Sequence, residues 1–157
     1  MKLYHGTNVD FTHIDLGKSH RYKDFGAGFY LTDIESQAKQ LAEKKMRLFG
    51  GKPIVQVYNF EETELLSKQN DVLIFEKVSA EWAEFIYKNR NKSIPEFHHS
   101  HDIVVGPIAD DGVAYLLERY QEGSYTIEQL AHELEYKKLN KQYFFGTEKA
   151  IKLLTRI

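Results

Sequence analysis

Ile54-Val55-Gln56-Val57-Tyr58-Asn59-Phe60 is the clearest strand in the chain. β-Branched and aromatic side chains suit a pleated, half-buried surface. A helical pattern comes just before it. Ile34, Ala38, Leu41, Ala42 and Met46 recur at helical spacing, so 33–48 reads as a helix. Thr32 and Glu35 have capping-box spacing at its start, and Gly50-Gly51 ends it. Other short apolar runs read as strands: Lys2 to His5, Phe29 to Thr32, Val72 to Phe75, Asp102 to Pro107 and Gln142 to Phe145. Helices are predicted from Ser79 through Trp82, Phe85 and Ile86, over Val113 to Gln121, from Thr126 through Leu134, and over Glu148 to Leu154. Thr126 and Gln129 repeat the capping-box spacing. Residues 8–24 and 89–101 read as loops, and 62–70 as a short helix or loop. Strands and helices interleave without strict alternation, which predicts an α+β fold rather than a doubly wound one. With no repeat, low-complexity tract or Pro/Ser/Gly linker, residues 1–157 are expected to form one domain.

Composition narrows the function classes. Lys and Arg total 21 against 23 Asp and Glu, a formal charge of −2. That argues against generic nucleic-acid binding, which rests on a basic excess. The absence of cysteine excludes disulfides, thiolate zinc sites and Cys nucleophiles. No apolar run reaches the roughly 20 residues of a membrane span, and Met1 to Gly6 lacks a signal-peptide core, so a cytoplasmic location is expected. No Gly-x-Ser-x-Gly elbow is present. Seven histidines are the compositional feature that could carry chemistry.

Three segments place a polar residue in or beside a short apolar strand: Leu3-Tyr4-His5-Gly6-Thr7, Phe25-Gly26-Ala27-Gly28-Phe29-Tyr30-Leu31-Thr32-Asp33 and Asn140-Lys141-Gln142-Tyr143-Phe144-Phe145. Buried strand faces prefer apolar residues, so His5, Tyr30 and Gln142 are informative if they converge in space. The bland reading of His5 alone is a satisfied histidine at a strand end, and Gln142 alone says almost nothing. Gly26-Ala27-Gly28 is not a dinucleotide fingerprint, because it lacks a third spaced glycine and precedes a strand.

These segments resemble the ADP-ribosyltransferase superfamily, on the His-Tyr-Glu branch that includes the poly-ADP-ribose polymerases. Tyr4-His5-Gly6-Thr7 matches the first motif, Phe25 to Asp33 the second, and Asn140 to Phe145 the third, with Gln142 in place of Glu. Nearly the whole chain is similar to a bacterial domain family of unknown function, DUF3990, which also carries the His101-Asp102-Ile103-Val104-Val105-Gly106-Pro107-Ile108-Ala109-Asp110-Asp111 type of segment. The resemblance implies a split β-sheet core with flanking helices and NAD as substrate, with no metal. It implies cleavage of the nicotinamide–ribose bond through an oxocarbenium-like transition state. The catalytic set would be His5, Tyr30 and Gln142, and the residues lining NAD would be Tyr4, Gly6, Thr7, Phe25, Gly26, Gly28 and Phe29. His5 and Gln142 would hold ribose hydroxyls, Tyr30 would offer a face to the nicotinamide, and the Gly6 main chain would pair with the carboxamide. Gly26 and Gly28 would let the backbone pass close to the ligand.

The departures bear on activity. Gln142 keeps hydrogen bonding but lacks the charge of Glu, so mono-ADP-ribosylation is expected rather than polymer formation. NAD hydrolysis and binding without turnover are the alternatives. Ala38 and Leu41 stand where the polymerases have a Ser and a second stacking Tyr, so Tyr22 or Phe25 is the candidate for the missing aromatic face. Glu148, Asp110 and Asp111 are candidates for the missing acid, although Asp110-Asp111 also reads as a helix cap. The acceptor of ADP-ribose is unknown. A toxin partnered by an antitoxin from a neighbouring gene is a third expectation.

His98-His99-Ser100-His101-Asp102 invites a metal reading. Adjacent residues on an extended chain face opposite ways, so His98 and His99 are poorly placed to share an ion. His101 is a possible neighbour of the cleft, and His13, His20, His98, His99 and His132 read as surface or structural. Trp82, Phe85 and Ile86 read as core. The basic clusters Lys44, Lys45, Arg47 and Lys137, Lys138, Lys141 read as solvated faces.

Overall fold

A computed structural model of the chain describes residues 1–134 and 140–157. Lys137 and Lys138, read above as part of a solvated face, lie outside the described residues. The order is β1 (Lys2–Thr7), β2 (Phe29–Leu31), α1 (Glu35–Phe49), β3 (Ile54–Asn59), β4 (Val72–Ile74), α2 (Ala80–Arg90), β5 (Ile103–Pro107), α3 (Asp111–Gln121), α4 (Ile127–Leu134), β6 (Lys141–Phe145), α5 (Glu148–Ile151) and β7 (Thr155–Arg156). Single 3₁₀ turns occupy Leu16–Lys18 and Glu62–Leu65. The architecture is mixed α+β, as expected, with two sheets. Among the described residues no helix is long and apolar enough to cross a membrane.

One sheet runs β1-β3-β7 and is antiparallel throughout. The other runs β2-β6-β5-β4, antiparallel except for the parallel β4–β5 pair. Among the described residues one isolated backbone bridge, between Tyr4 and Thr32, links the two sheets. Tyr4 N–H donates to Thr32 O at 2.8 Å, and Thr32 N–H to Tyr4 O at 3.0 Å. Beyond this bridge β1 and β2 part, and the gap between them is where the first two sequence motifs meet.

Alternation along the strands sorts the core into two clusters. Between the sheets lie Leu3, Phe29, Leu31, Tyr58, Ile103, Val105, Tyr143 and Phe145. On the opposite face of the four-stranded sheet, Phe25, Val104 and Phe144 pack against Trp82 and Ile86 of α2, Val113 and Leu117 of α3, and Leu130 and Leu134 of α4. Trp82 is fully buried, and its indole N–H donates to Pro107 O at 3.0 Å. α1 packs on the outer side of β1, against the face opposite the inter-sheet core.

Several local expectations change. Helix α1 starts at Glu35, and its N-cap Ile34 makes no side-chain cap bond. Thr32 is drawn into the bridge to Tyr4, and its hydroxyl accepts from Ile34 N–H and donates to Gln37 Oε1. The second capping box does form: Thr126 N–H donates to Gln129 Oε1 at 2.8 Å, and Gln129 N–H to Thr126 Oγ1 at 3.2 Å. Asp110 caps α3, its carboxylate accepting from Val113 N–H at 2.8 Å. The closing helix stops at Ile151 rather than Leu154, because Thr155–Arg156 pairs with the edge of β3.

Candidate functional site

His5 sits on the last turn of pleat before β1 leaves β2. Its side chain faces the inter-sheet core with Leu3, packing on Phe29 at 4.4 Å between ring centroids and edge-on to Phe11 at 5.8 Å. Across the gap, His5 Nδ1 is 2.8 Å from the Tyr30 carbonyl. A carbonyl only accepts, so Nδ1 carries the proton and Nε2 presents a lone pair. Burial holds the imidazole well below its usual range, at about 4, against the upward pull of the Tyr30 hydrogen bond; the charges of Lys45 and Lys23 press it down further. His5 is therefore a neutral ring of fixed tautomer at neutral pH.

Tyr30 points the other way. Adjacent strand residues alternate faces, so its ring lies with Phe144, at 5.2 Å, and parallel to Phe25 at 6.5 Å. Its hydroxyl donates to Gly26 O at 2.6 Å and accepts from Phe25 N–H at 3.0 Å. Burial pushes the phenol well above its usual range. Gln142 shares this face, two residues before Phe144, which pairs with Tyr30. Gln142 Nε2 donates to Asp24 Oδ2 at 2.9 Å and to Pro107 O at 3.3 Å. Both partners are acceptors, which fixes the amide and leaves Oε1 as the acceptor atom. The structure thus joins His5 to the main chain of Tyr30 and puts Tyr30 and Gln142 on one face. It does not gather the three side chains in one cleft: the His5 ring lies on the inter-sheet face.

The lining residues take mostly packing roles. Phe25 is fully buried and Phe29 is 7% exposed, both within the core. Tyr4 contributes its main chain to the bridge, and Thr7 is buried with its hydroxyl donating to Val9 O. A Cβ on Gly6 would stand 2.1 Å from Ala38 O, so the glycine admits α1 rather than only a ligand. A Cβ on Gly28 would meet the Phe144 ring at 2.1 Å. Gly26 adopts φ +86°, a conformation few other residues hold. Ala38 is buried under the helix, and Leu41 is exposed and covers nothing in the site. Of the candidate aromatic faces, Phe25 stacks on Tyr30, whereas Tyr22 lines a cavity together with Gly26, Ala27 and Phe144.

Four charged residues near the motifs were not singled out for chemistry by their sequence pattern. Asp24 is buried, takes the Gln142 amide, accepts from Ala109 N–H at 3.2 Å and pairs with Arg90 at 2.7 Å. Asp24 is the carboxylate that takes the Gln142 amide, while Asp110 caps α3. Lys45 donates to the Gly6 carbonyl at 2.8 Å, and the Lys23 ammonium stands 5.0 Å from the centre of the Tyr30 ring. Asp24 borders the second motif and gave the only signal, a charge immediately before a buried aromatic-glycine pair.

A cavity of about 210 Å³ opens beside the second and third motifs, lined by Gly26 and Ala27 of the glycine-rich turn and Phe144 of β6 together with Arg21, Tyr22, Phe97, His98, His99 and His101 among others. None of His5, Tyr30 and Gln142 lines it. His99 Nδ1 accepts from His101 N–H at 3.2 Å, so Nε2 donates to Phe25 O at 2.6 Å, a structural bond that anchors the glycine-rich turn. His101 Nδ1 contacts Asp71 at 2.9 Å. Among the described residues, no group of three or more metal-ligating side chains is assembled.

Fold and motif geometry together define a mixed α+β domain with two sheets joined by one bridge and a histidine spanning the gap. The family model for proteins of unknown function DUF3990 matches residues 1–155, and the chain belongs to that family. No curated protein and no solved structure matches it.

Proposed function

We propose that the chain is an NAD-dependent mono-ADP-ribosyltransferase on an ADP-ribosyltransferase-like split-sheet core. The observation that carries this reading is the His5–Tyr30 contact across the gap between β1 and β2. It leaves a neutral Nε2 acceptor, of fixed orientation, beside the main chain of Gly6 and Tyr30. An acceptor of this kind suits a ribose hydroxyl. Gln142 Oε1, fixed by the Asp24 contact, is an acceptor on the opposite face, with Tyr30 and away from the His5 ring.

In the reaction, the bond from ribose C1′ to the nicotinamide nitrogen breaks, and its electron pair leaves with nicotinamide. The oxocarbenium ion is captured by the acceptor nucleophile, which loses its proton, or by water in the hydrolytic variant. The protein's part is orientation and charge. Asp24 brings a carboxylate close to Gln142, but Arg90 neutralises it at 2.7 Å. This supports slow single transfers rather than polymer growth. The acceptor, and any antitoxin that restrains the activity, belong to the same proposal.

The test is incubation with NAD labelled in its adenylate half, with protein, nucleic-acid and small-molecule acceptors present. Label transfer or nicotinamide release is expected, with loss in His5→Ala and Tyr30→Ala. Neither activity in the wild type would overturn the reading. A second reading, NAD or ADP-ribose binding without turnover, is favoured by one observation: Lys45 already occupies the Gly6 carbonyl. Calorimetric binding of NAD without nicotinamide release selects it, and activity gained by Gln142→Glu would strengthen it.

A further inference from the structure

We infer that Lys23 and Lys45 form a binding site for a diphosphate group where β1 and β2 part. Lys45 reaches inward from α1, half-buried, and one of its N–H groups is spent on the Gly6 carbonyl at 2.8 Å. Among the described residues no carboxylate pairs with it. Lys23 is exposed on the loop before the second motif, with its ammonium over the Tyr30 ring at 5.0 Å. Its acidic neighbour Asp24 is already committed to Arg90, Gln142 and Ala109 N–H. The Tyr30 hydroxyl is likewise committed to the Gly26–Phe25 turn. Two cations thus stand at one gap, and among the described residues neither forms an ion pair, although the charge of Asp24 reaches Lys23.

Both ammonium groups are held below their usual range, chiefly by burial, and Lys45 also by the charge of Lys23. Like charges brought together at a partly desolvated gap repel unless an anion joins them. An ammonium is a compact charge with several donors, suited to phosphate oxygens. Two of them facing one gap suit two linked phosphates. His5, being neutral, adds no charge of its own there.

The identity of the ligand as the NAD diphosphate rests on the function proposed above; the anion site itself does not. Lys45 also links the two ends of such a ligand. While it holds the Gly6 carbonyl, that carbonyl is closed to a carboxamide. Drawn to a phosphate, it frees the carbonyl.

The experiment is calorimetry on the full chain with three probes: inorganic pyrophosphate, ADP-ribose and nicotinamide riboside, which has no phosphate. Lys23→Met and Lys45→Met keep the aliphatic stems, and Lys23→Arg and Lys45→Arg keep the charge. Each Met variant is expected to weaken pyrophosphate and ADP-ribose at least tenfold, while the Arg variants retain binding and show that the fold is intact. Lys45→Met should bind nicotinamide riboside no more weakly than the wild type. Pyrophosphate affinity equal in the wild type and the Met variants, or no pyrophosphate binding by the wild type, would overturn the site. Pyrophosphate bound through both lysines without any nicotinamide release would sustain the site and sink the transferase reading. NAD cleavage with an unchanged KM in both Met variants would do the reverse.

Discussion

Burial of His5 sets a pH dependence of stability. Its folded value of about 4 lies below the usual 6.5, so the unfolded chain binds more protons between those values. Stability rises with pH wherever the unfolded state holds more protons. The His5 contribution is therefore fully present above pH 6.5 and lost as pH falls toward 4. The shift corresponds to about 3 kcal/mol. Denaturant titrations over this range should show that loss in the wild type. In His5→Asn, which can keep a donor toward Tyr30 O, most of it should vanish; an unchanged profile would contradict the assignment. Gly6 offers a second test. Its Cβ would meet the Ala38 carbonyl, a backbone atom that moves only with α1. Gly6→Ala should therefore cost about 1–3 kcal/mol or more, read as a fall in the denaturation midpoint. A stability equal to that of the wild type would mean that α1 sits more loosely than described.

Helix capping is the clearest element-scale case. The Thr126–Gln129 pair forms a reciprocal box, so Thr126→Ala should cost about 1 kcal/mol by thermal unfolding. The same spacing at Thr32 and Glu35 forms no box, since the bridge to Tyr4 claims the Thr32 backbone. Glu35→Ala should accordingly lose only its exposed pair with Lys39 and cost clearly less than Thr126→Ala. Equal losses at the two sites would contradict this distinction. The contrast shows what local sequence carries. The strands 54–59, 103–107 and 141–145 were legible because apolar runs with β-branched or aromatic side chains have few other places to go. The partners of a strand were not. Nothing in Thr155-Arg156 announces that it will join the edge of β3, because that pairing is decided by an edge 96 residues away. The site divides in the same way. His5, Tyr30 and Gln142 stood out as polar residues in apolar strands, yet the faces they occupy follow from register. Asp24, Arg90, Lys23 and Lys45 became visible only once the loop and α1 were laid against the strands, because solvated faces and half-buried cations share one composition.

At the scale of the whole molecule, the two sheets are joined near the site by one backbone bridge and one histidine. The four-stranded sheet separates an aromatic inter-sheet core from a helical one. A ligand that enters the gap between β1 and β2 must work against this narrow junction, and its affinity is coupled to the same contacts that hold the sheets together. His5 is thus both a structural stitch and the proposed ribose-binding group. The two roles separate experimentally: His5→Asn should fold and lose activity, whereas a purely structural histidine would leave turnover intact in that variant.

The most direct measurement is chromatographic quantification of nicotinamide released from NAD by the wild type, His5→Asn and Tyr30→Ala, with folding of each checked by circular dichroism. Release by the wild type is expected, with its loss, by tenfold or more, in both folded variants. No release by the wild type with acceptors present, or equal release by wild type and His5→Asn, would contradict it.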